Sequence, residues 1–160
     1  VEKDRQQFIE LSVDKEVNHF MGGRCETRED ANSMFDKVLD IYKGILLPRH
    51  FEIWAIDAGN EFAGHFELKQ TDNTSGDELE VVYLLDKKFW GQGLMPEIIN
   101  EINRYAGSMN KQLIATISSE NKKTIKALGK IGIQKQEILA DSDGKSLKIY
   151  IEPFIQNKNK

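Results

Sequence analysis

The chain has 160 residues, of which 39% are hydrophobic and 30% charged, with a formal net charge of −4 and a single cysteine. That length can bury a core within one domain, and the balance excludes a disordered or fibrous chain. The acidic balance disfavours broad nucleic-acid affinity through phosphate contacts and suits a positively charged substrate. No apolar run approaches the roughly 20 residues of a membrane span, no signal peptide opens the chain, and Cys25 has no internal disulfide partner. A cytoplasmic protein with no membrane or nucleic-acid partner is the expectation, either a monomer or a homodimer.

In chain order, "QQFIELSVDKEVNHFM" is helical in part, with Phe8, Ile9 and Val13 facing inward, and "GGRCE" breaks it. Thr27 with Asp30 three residues on resembles a capping box in which Asp takes the usual place of Glu or Gln. Behind it Met34, Phe35, Val38, Leu39, Tyr42 and Ile45 recur at helical spacing, and the pattern stops before Pro48. "FEIWAID" and "EFAGHFELK", separated by "AGN", predict a hairpin. In its second strand Phe62, Gly64, Phe66 and Leu68 share one face and His65 takes the other.

"TDNTSGD" reads as a loop, and "ELEVVYLL" as a strand whose apolar second half is covered on both sides. After "KKFWGQG", Leu94, Ile98, Ile102 and Tyr105 mark one face of a helix. "QLIATIS" is a strand, and "SENKKTIKALGKIG" a helix capped at Ser119 with Ile125, Leu128 and Ile131 inward. "IQKQEIL", the turn "DSDG" and "SLKIYIE" form a closing hairpin in which Leu147, Ile149 and Ile151 alternate. Residues 155–160 read as a frayed tail. The organisation is α+β in one domain over 1–160.

The junction of strand, glycine loop and helix carries the chemistry. Free N–H groups of a first helical turn, with the helix dipole behind them, attract an anion. Gly91 and Gly93 permit a sharp turn and a close backbone approach, and Pro96 suits a helix start because it has no N–H to waste. "GQGLMP" lacks the third glycine of the dinucleotide fingerprint and the Lys-Ser or Lys-Thr of a P-loop. His19, His50 and His65 are scattered at no metal-ligand spacing, so no metal is expected. Cys25 has no evident histidine partner for a covalent step.

"LEVVYLLDKKFWGQGLMPEIINEI" resembles the central motif of the GNAT acetyltransferases, in particular the RimJ/RimL-like protein N-acetyltransferase branch. That branch reads Glu-(apolar)-Gly-Tyr-x-Leu and then Tyr-Trp-Gly-Lys-Gly-Tyr-Ala-Thr-Glu-Ala. "SSENKKTIKALGKIGI" is similar to its downstream Glu-Asn-x-x-Ser signature, and "VDKEVNHFMGG" with "TREDA" to its N-terminal region. The resemblance covers nearly the whole chain. It departs from the pattern at Val82, where glycine is frequent, at Thr124, where serine is frequent, and at Met95, which replaces a small residue and would tighten access to the loop. The strand that usually opens the fold is not recognisable before Asp4 and is expected to be missing or altered.

The resemblance implies a GNAT acyl-CoA N-acyltransferase fold: a mixed, largely antiparallel sheet with helices on both faces and splayed central parallel strands. It implies acetyl-CoA as the acyl donor. The backbone of Tyr83, Leu84 and Leu85 would hold the pantetheine arm, and the amides of Trp90, Gly91, Gln92, Gly93, Leu94 and Met95 the pyrophosphate. Asn121 would bond the pantetheine near the thioester, and Thr124 would sit near the departing sulfur as a proton donor. Glu80 would face the acceptor, a small-molecule amine or a protein N-terminus, and accept its proton directly or through water. Two other readings of Glu80 and Thr124 stay open, a solvated strand-end charge and an ordinary first-turn residue. The alternative function is a non-catalytic CoA-binding or effector-sensing module; a nucleotide-binding α/β domain is disfavoured because consecutive hairpins imply antiparallel strands.

Overall fold

The computed structural model describes residues 1–21, 25–46, 50–139 and 145–153. The break at residues 22–24, the stop at residue 48, the turn at 141–144 and the tail at 155–160 lie outside the described residues. The elements run α1 (Arg5–Val13), α2 (Arg28–Tyr42), β1 (Phe51–Ala58), β2 (Glu61–Lys69), β3 (Glu78–Leu85), α3 (Leu94–Ser108), β4 (Gln112–Ser118), α4 (Lys122–Gly129), β5 (Ile133–Ile138) and β6 (Ser146–Ile151). The strands form a mixed sheet in the order β1-β2-β3-β4-β6-β5. β3 and β4 are parallel, whereas β1–β2, β4–β6 and β5–β6 are antiparallel. This is the α+β sheet that the sequence predicts.

By compactness the chain falls into two units, one of residues Val1–Lys69 with Val82–Trp90, the other of Gln70–Val81 with Gly91–Lys160. In the first, the capping box forms as read: the Asp30 N–H donates to Thr27 Oγ1 at 3.0 Å, and the Thr27 N–H donates back to Asp30 at 3.1 Å. Phe8 of α1 meets Phe35 of α2 edge to face, with ring centroids 5.2 Å apart, and Arg5 lies over Phe35. Only Ala31 and Phe35 of α2 are buried, while Met34, Tyr42 and Ile45 of the helical pattern are exposed. The β1–β2 hairpin turns through Gly59 and Asn60, both left-handed, as its right-handed twist requires.

His65 lies opposite Gly64, Phe66 and Leu68, but a β-bulge facing Ile56 and Asp57 breaks the alternation before Gly64, so Phe62 does not share that face as predicted. The face of His65 is buried too, with the Phe8 ring tilted against it at a centroid distance of 4.9 Å. Beneath α1, His65 Nε2 is 3.6 Å from Glu67, whose other oxygen takes Lys69 Nζ at 2.6 Å. Burial pushes the Glu67 carboxyl up, but His65 and Lys69 outweigh it and hold it at about 2, against an ordinary 4.5. The folded value lies below the unfolded one, so the stabilisation is present above pH 4.5 and is lost as pH falls from 4.5 towards 2. Acidification across that window should therefore lower the stability of the wild type by on the order of 3 kcal/mol. Glu67→Gln should flatten this part of the curve; an unchanged acid limb in urea melts would refute the coupling.

In the second unit, α3 buries Met95, Ile99, Ile102, Asn103 and Ala106. This corrects the predicted face of Leu94, Ile98, Ile102 and Tyr105, which is rotated by one residue; Tyr105 is exposed. Leu79, Leu113, Leu128, Ile149 and Ile151 are fully buried. Asn103 is satisfied by donating to the Glu152 carbonyl at 2.7 Å, so this polar side chain is buried without penalty.

Candidate active site

The β3–β4 ladder pairs Glu78 with Gln112, Leu79 with Leu113 and Glu80 with Ile114, then stops, although β3 runs on to Leu85 and β4 to Ser118. Unpaired strand edges leave polar groups that need partners. Glu80 supplies one, because the Thr116 N–H of β4 donates to Glu80 Oε1 at 3.2 Å. The other oxygen, Oε2, accepts the Thr71 hydroxyl at 2.5 Å. Thr71 is fixed in turn, its N–H donating to Thr74 Oγ1 at 3.0 Å and its Oγ1 accepting the Asn73 N–H at 3.1 Å. A carboxylate thus sits where the parallel strands cease to pair.

Glu80 is only 5% exposed, which corrects its reading as a solvated strand-end charge. Its neighbours differ in kind. Asp77 pairs with Lys111 at 2.7 Å and Glu78 with Lys148 at 2.6 Å. Burial pushes the Glu78 carboxyl up, and Lys148 together with the hydrogen bonds from Ser75 more than offsets this, leaving it below the usual range. Glu80 has no cation among the described residues, only two neutral donors. A buried carboxylate without a counter-charge is costly, and its two oxygens retain lone pairs for further donors.

At the N-terminus of α3, Gly91 and Gly93 are left-handed, with φ of 76° and 82°, and both are exposed. An added Cβ at either would meet no atom within 4 Å, so space is open above the backbone. Gly93 is the N-cap and brings no side chain to cap the helix, so the amides of the first turn are not met by a capping side chain at that position. This arrangement fits a pyrophosphate. Met95 is 7% exposed, on the buried face of α3, which corrects the expectation that it crowds the loop.

In the first unit, Leu84 and Leu85 are buried and Tyr83 is half-buried. Trp90 Nε1 donates to the Leu85 carbonyl at 2.8 Å, and the Asp86 N–H to the Ala63 carbonyl at 2.8 Å, which fixes the end of β3. A Cβ on Gly64 would lie 2.1 Å from the Leu84 oxygen, so β2 approaches this stretch as only glycine permits. At α4, Asn121 and not Ser119 is the cap: its Oδ1 accepts the Thr124 N–H at 3.2 Å. That joins two of the sequence-predicted residues and leaves Asn121 Nδ2 as the donor available to a ligand.

Sequence reading missed Thr71, Thr116 and Gly64. A threonine inside the apolar run "LIATIS" is the one local signal, and it names no partner. Among the described residues, no three His, Cys, Asp or Glu side chains are grouped to hold a metal ion, and no helix is long and apolar enough to cross a membrane.

The family described as an acetyltransferase (GNAT) domain matches residues 1–134. No curated protein matches the chain. Among solved structures, RimL, the ribosomal L7/L12 α-N-protein acetyltransferase bound to coenzyme A, superposes with a TM-score of 0.70 at 15% identity, covering 94% of this chain and 88% of that one. The aminoglycoside acetyltransferase AAC(6')-Ib with coenzyme A gives a TM-score of 0.75 at 14% identity, over 94% and 90%. Spermidine N-acetyltransferase from Vibrio cholerae, with CoA and spermine, gives 0.70 at 15%, over 94% and 89%. At such identities these likenesses establish the fold.

Proposed function

This chain belongs to the GNAT acetyltransferase family, and we propose that it moves an acetyl group from acetyl-CoA to a primary amine by direct transfer in a ternary complex. The observation that carries this is Glu80, a buried carboxylate with no cationic partner among the described residues, placed where the parallel ladder ends. A lysine-like amine, pKa about 10.4, or an α-amine, pKa about 8, arrives mostly protonated at neutral pH. Its ammonium supplies the counter-charge that Glu80 lacks. The acceptor is a small amine or a protein N-terminus, classes represented among the structural neighbours named above.

Acetyl-CoA supplies the acyl group as an activated thioester. The amides of Trp90 to Met95 hold its pyrophosphate, the backbone of Tyr83 to Leu85 runs beside its pantetheine arm, and Asn121 Nδ2 donates to that arm near the thioester. The ammonium gives one proton to Glu80, directly or through water, and becomes nucleophilic. A C–N bond then forms as the C–S bond breaks. The nitrogen loses its second proton and the departing sulfur gains one, with Thr124 as the donor. The products are the amide, free CoA thiol and one proton released to solvent through Glu80.

Steady-state thiol release tests this, with acetyl-CoA and the amine both varied over spermidine, an aminoglycoside and a peptide with a free N-terminal serine. Release should require an amine, and double-reciprocal lines should intersect. Parallel lines would contradict direct transfer, and CoA binding without release from any amine would favour the non-catalytic module.

A further inference from the structure

One polar atom in the Glu80 neighbourhood has no use in the reading above. Thr116 Oγ1 is buried and has no hydrogen-bond partner. A buried hydroxyl without a partner costs stability and is uncommon in a native protein. Glu80 pairs with Ile114 in the parallel register, so Thr116, two residues on, presents its side chain to the same face as Glu80. Its own N–H already donates to Glu80 Oε1 at 3.2 Å. Covalent geometry holds Oγ1 within about 3–4 Å of that nitrogen. The hydroxyl therefore lies in the neighbourhood of the carboxylate, on the same face and not bonded to it.

The other polar groups of this face are committed. Lys148, paired with Thr116 across the β4–β6 ladder, gives its ammonium to Glu78 at 2.6 Å. The Tyr150 hydroxyl donates to Glu137 at 3.2 Å. Neither satisfies Thr116 Oγ1, which can accept two hydrogen bonds. An ammonium brings three N–H donors, more than one carboxylate oxygen can use. We propose that Thr116 is an acceptor-binding residue, its hydroxyl taking a hydrogen bond from the ammonium nitrogen that Glu80 holds. The inference rests on the amine-acetyltransferase reading and adds a residue to its acceptor site.

Thr116→Val keeps the branched shape and removes the hydroxyl, and Thr116→Ser keeps the hydroxyl. In Thr116→Val the KM for the amine should rise roughly tenfold or more, as for a lost hydrogen bond to a charged group, with kcat much less affected. Acetyl-CoA affinity should be unchanged, and Tm equal to or above the wild type, because an unpaired buried hydroxyl is gone. Thr116→Ser should recover most of the amine KM. An unchanged amine KM in folded Thr116→Val overturns the inference. So do a lowered Tm and equal impairment in both variants, which would mark a packing role. Wild-type protein that releases no thiol with spermidine, an aminoglycoside or a serine-led peptide overturns the parent reading, and this one with it.

Discussion

Glu80→Gln should lower turnover with every amine acceptor by roughly 10²-fold or more, the lower end expected for losing a general base, while acetyl-CoA affinity barely changes. Glutamine is close in shape, and its amide oxygen can still accept the Thr116 N–H that the carboxylate holds at 3.2 Å. Thr71, whose hydroxyl donates to Glu80, can accept from the new amide instead, so the ladder end should survive. What disappears is the negative charge. A buried carboxylate with no cation destabilises the folded chain, so the variant should be as stable as the wild type or more so. Loss of rate with gain of stability is the signature of a charge kept for function. A variant with wild-type kcat and raised Tm would reduce Glu80 to a device for ending strand pairing. Initial rates, calorimetric titration with acetyl-CoA and a thermal melt separate these cases.

The second large effect is expected at Gly93. Its φ of 82° is a left-handed conformation that a β-branched residue resists, and the space above it is open. Gly93→Val therefore costs about 1–3 kcal/mol of backbone strain without a clash. On the proposed reading, the valine side chain would stand where the pyrophosphate approaches the first-turn amides of α3. Acetyl-CoA affinity should fall by far more than the strain alone explains, at least tenfold in a protein whose circular dichroism is unchanged. Gly107→Val, in the exposed last turn of α3 with open space around it, is the control: it should leave affinity alone and stability equal or slightly raised, because glycine is the poorer helix former. Unchanged affinity in folded Gly93→Val, measured by calorimetry, would remove the loop from the cosubstrate site.

Much of this architecture was legible because its causes are local. The Thr27–Asp30 box and the turn after Ala58 depend on residues three or fewer positions apart, and both formed as read. The glycine loop was legible for the same reason. The buried face of α3 was misjudged by one position, since Leu94 and Met95 are equally apolar and only packing tells which turns inward. The cap of α4 was placed at Ser119 and sits at Asn121; both are good capping residues two apart, and only the observed helix start decides between them. Glu80 was the hardest case. Its setting depends on Thr71 in a loop and on Thr116 in a strand reached only through the parallel register. Beside Asp77 and Glu78 it looks like one more strand-end acid. The burial of His65 under Phe8 is likewise tertiary, and no period within "EFAGHFELK" announces it.

In the proposed reaction the acetyl group passes straight from acetyl-CoA to an amine. Mass spectrometry of a limited-turnover mixture tests it most directly, with whole protein, acetyl-CoA and spermidine or a serine-led peptide, following protein and amine together. Direct transfer gives one acetyl group gained by the amine for each CoA thiol released, with the mass of the protein unchanged throughout. Thiol release at the same rate without amine, or an acetyl group appearing on the protein before the amine, would contradict it.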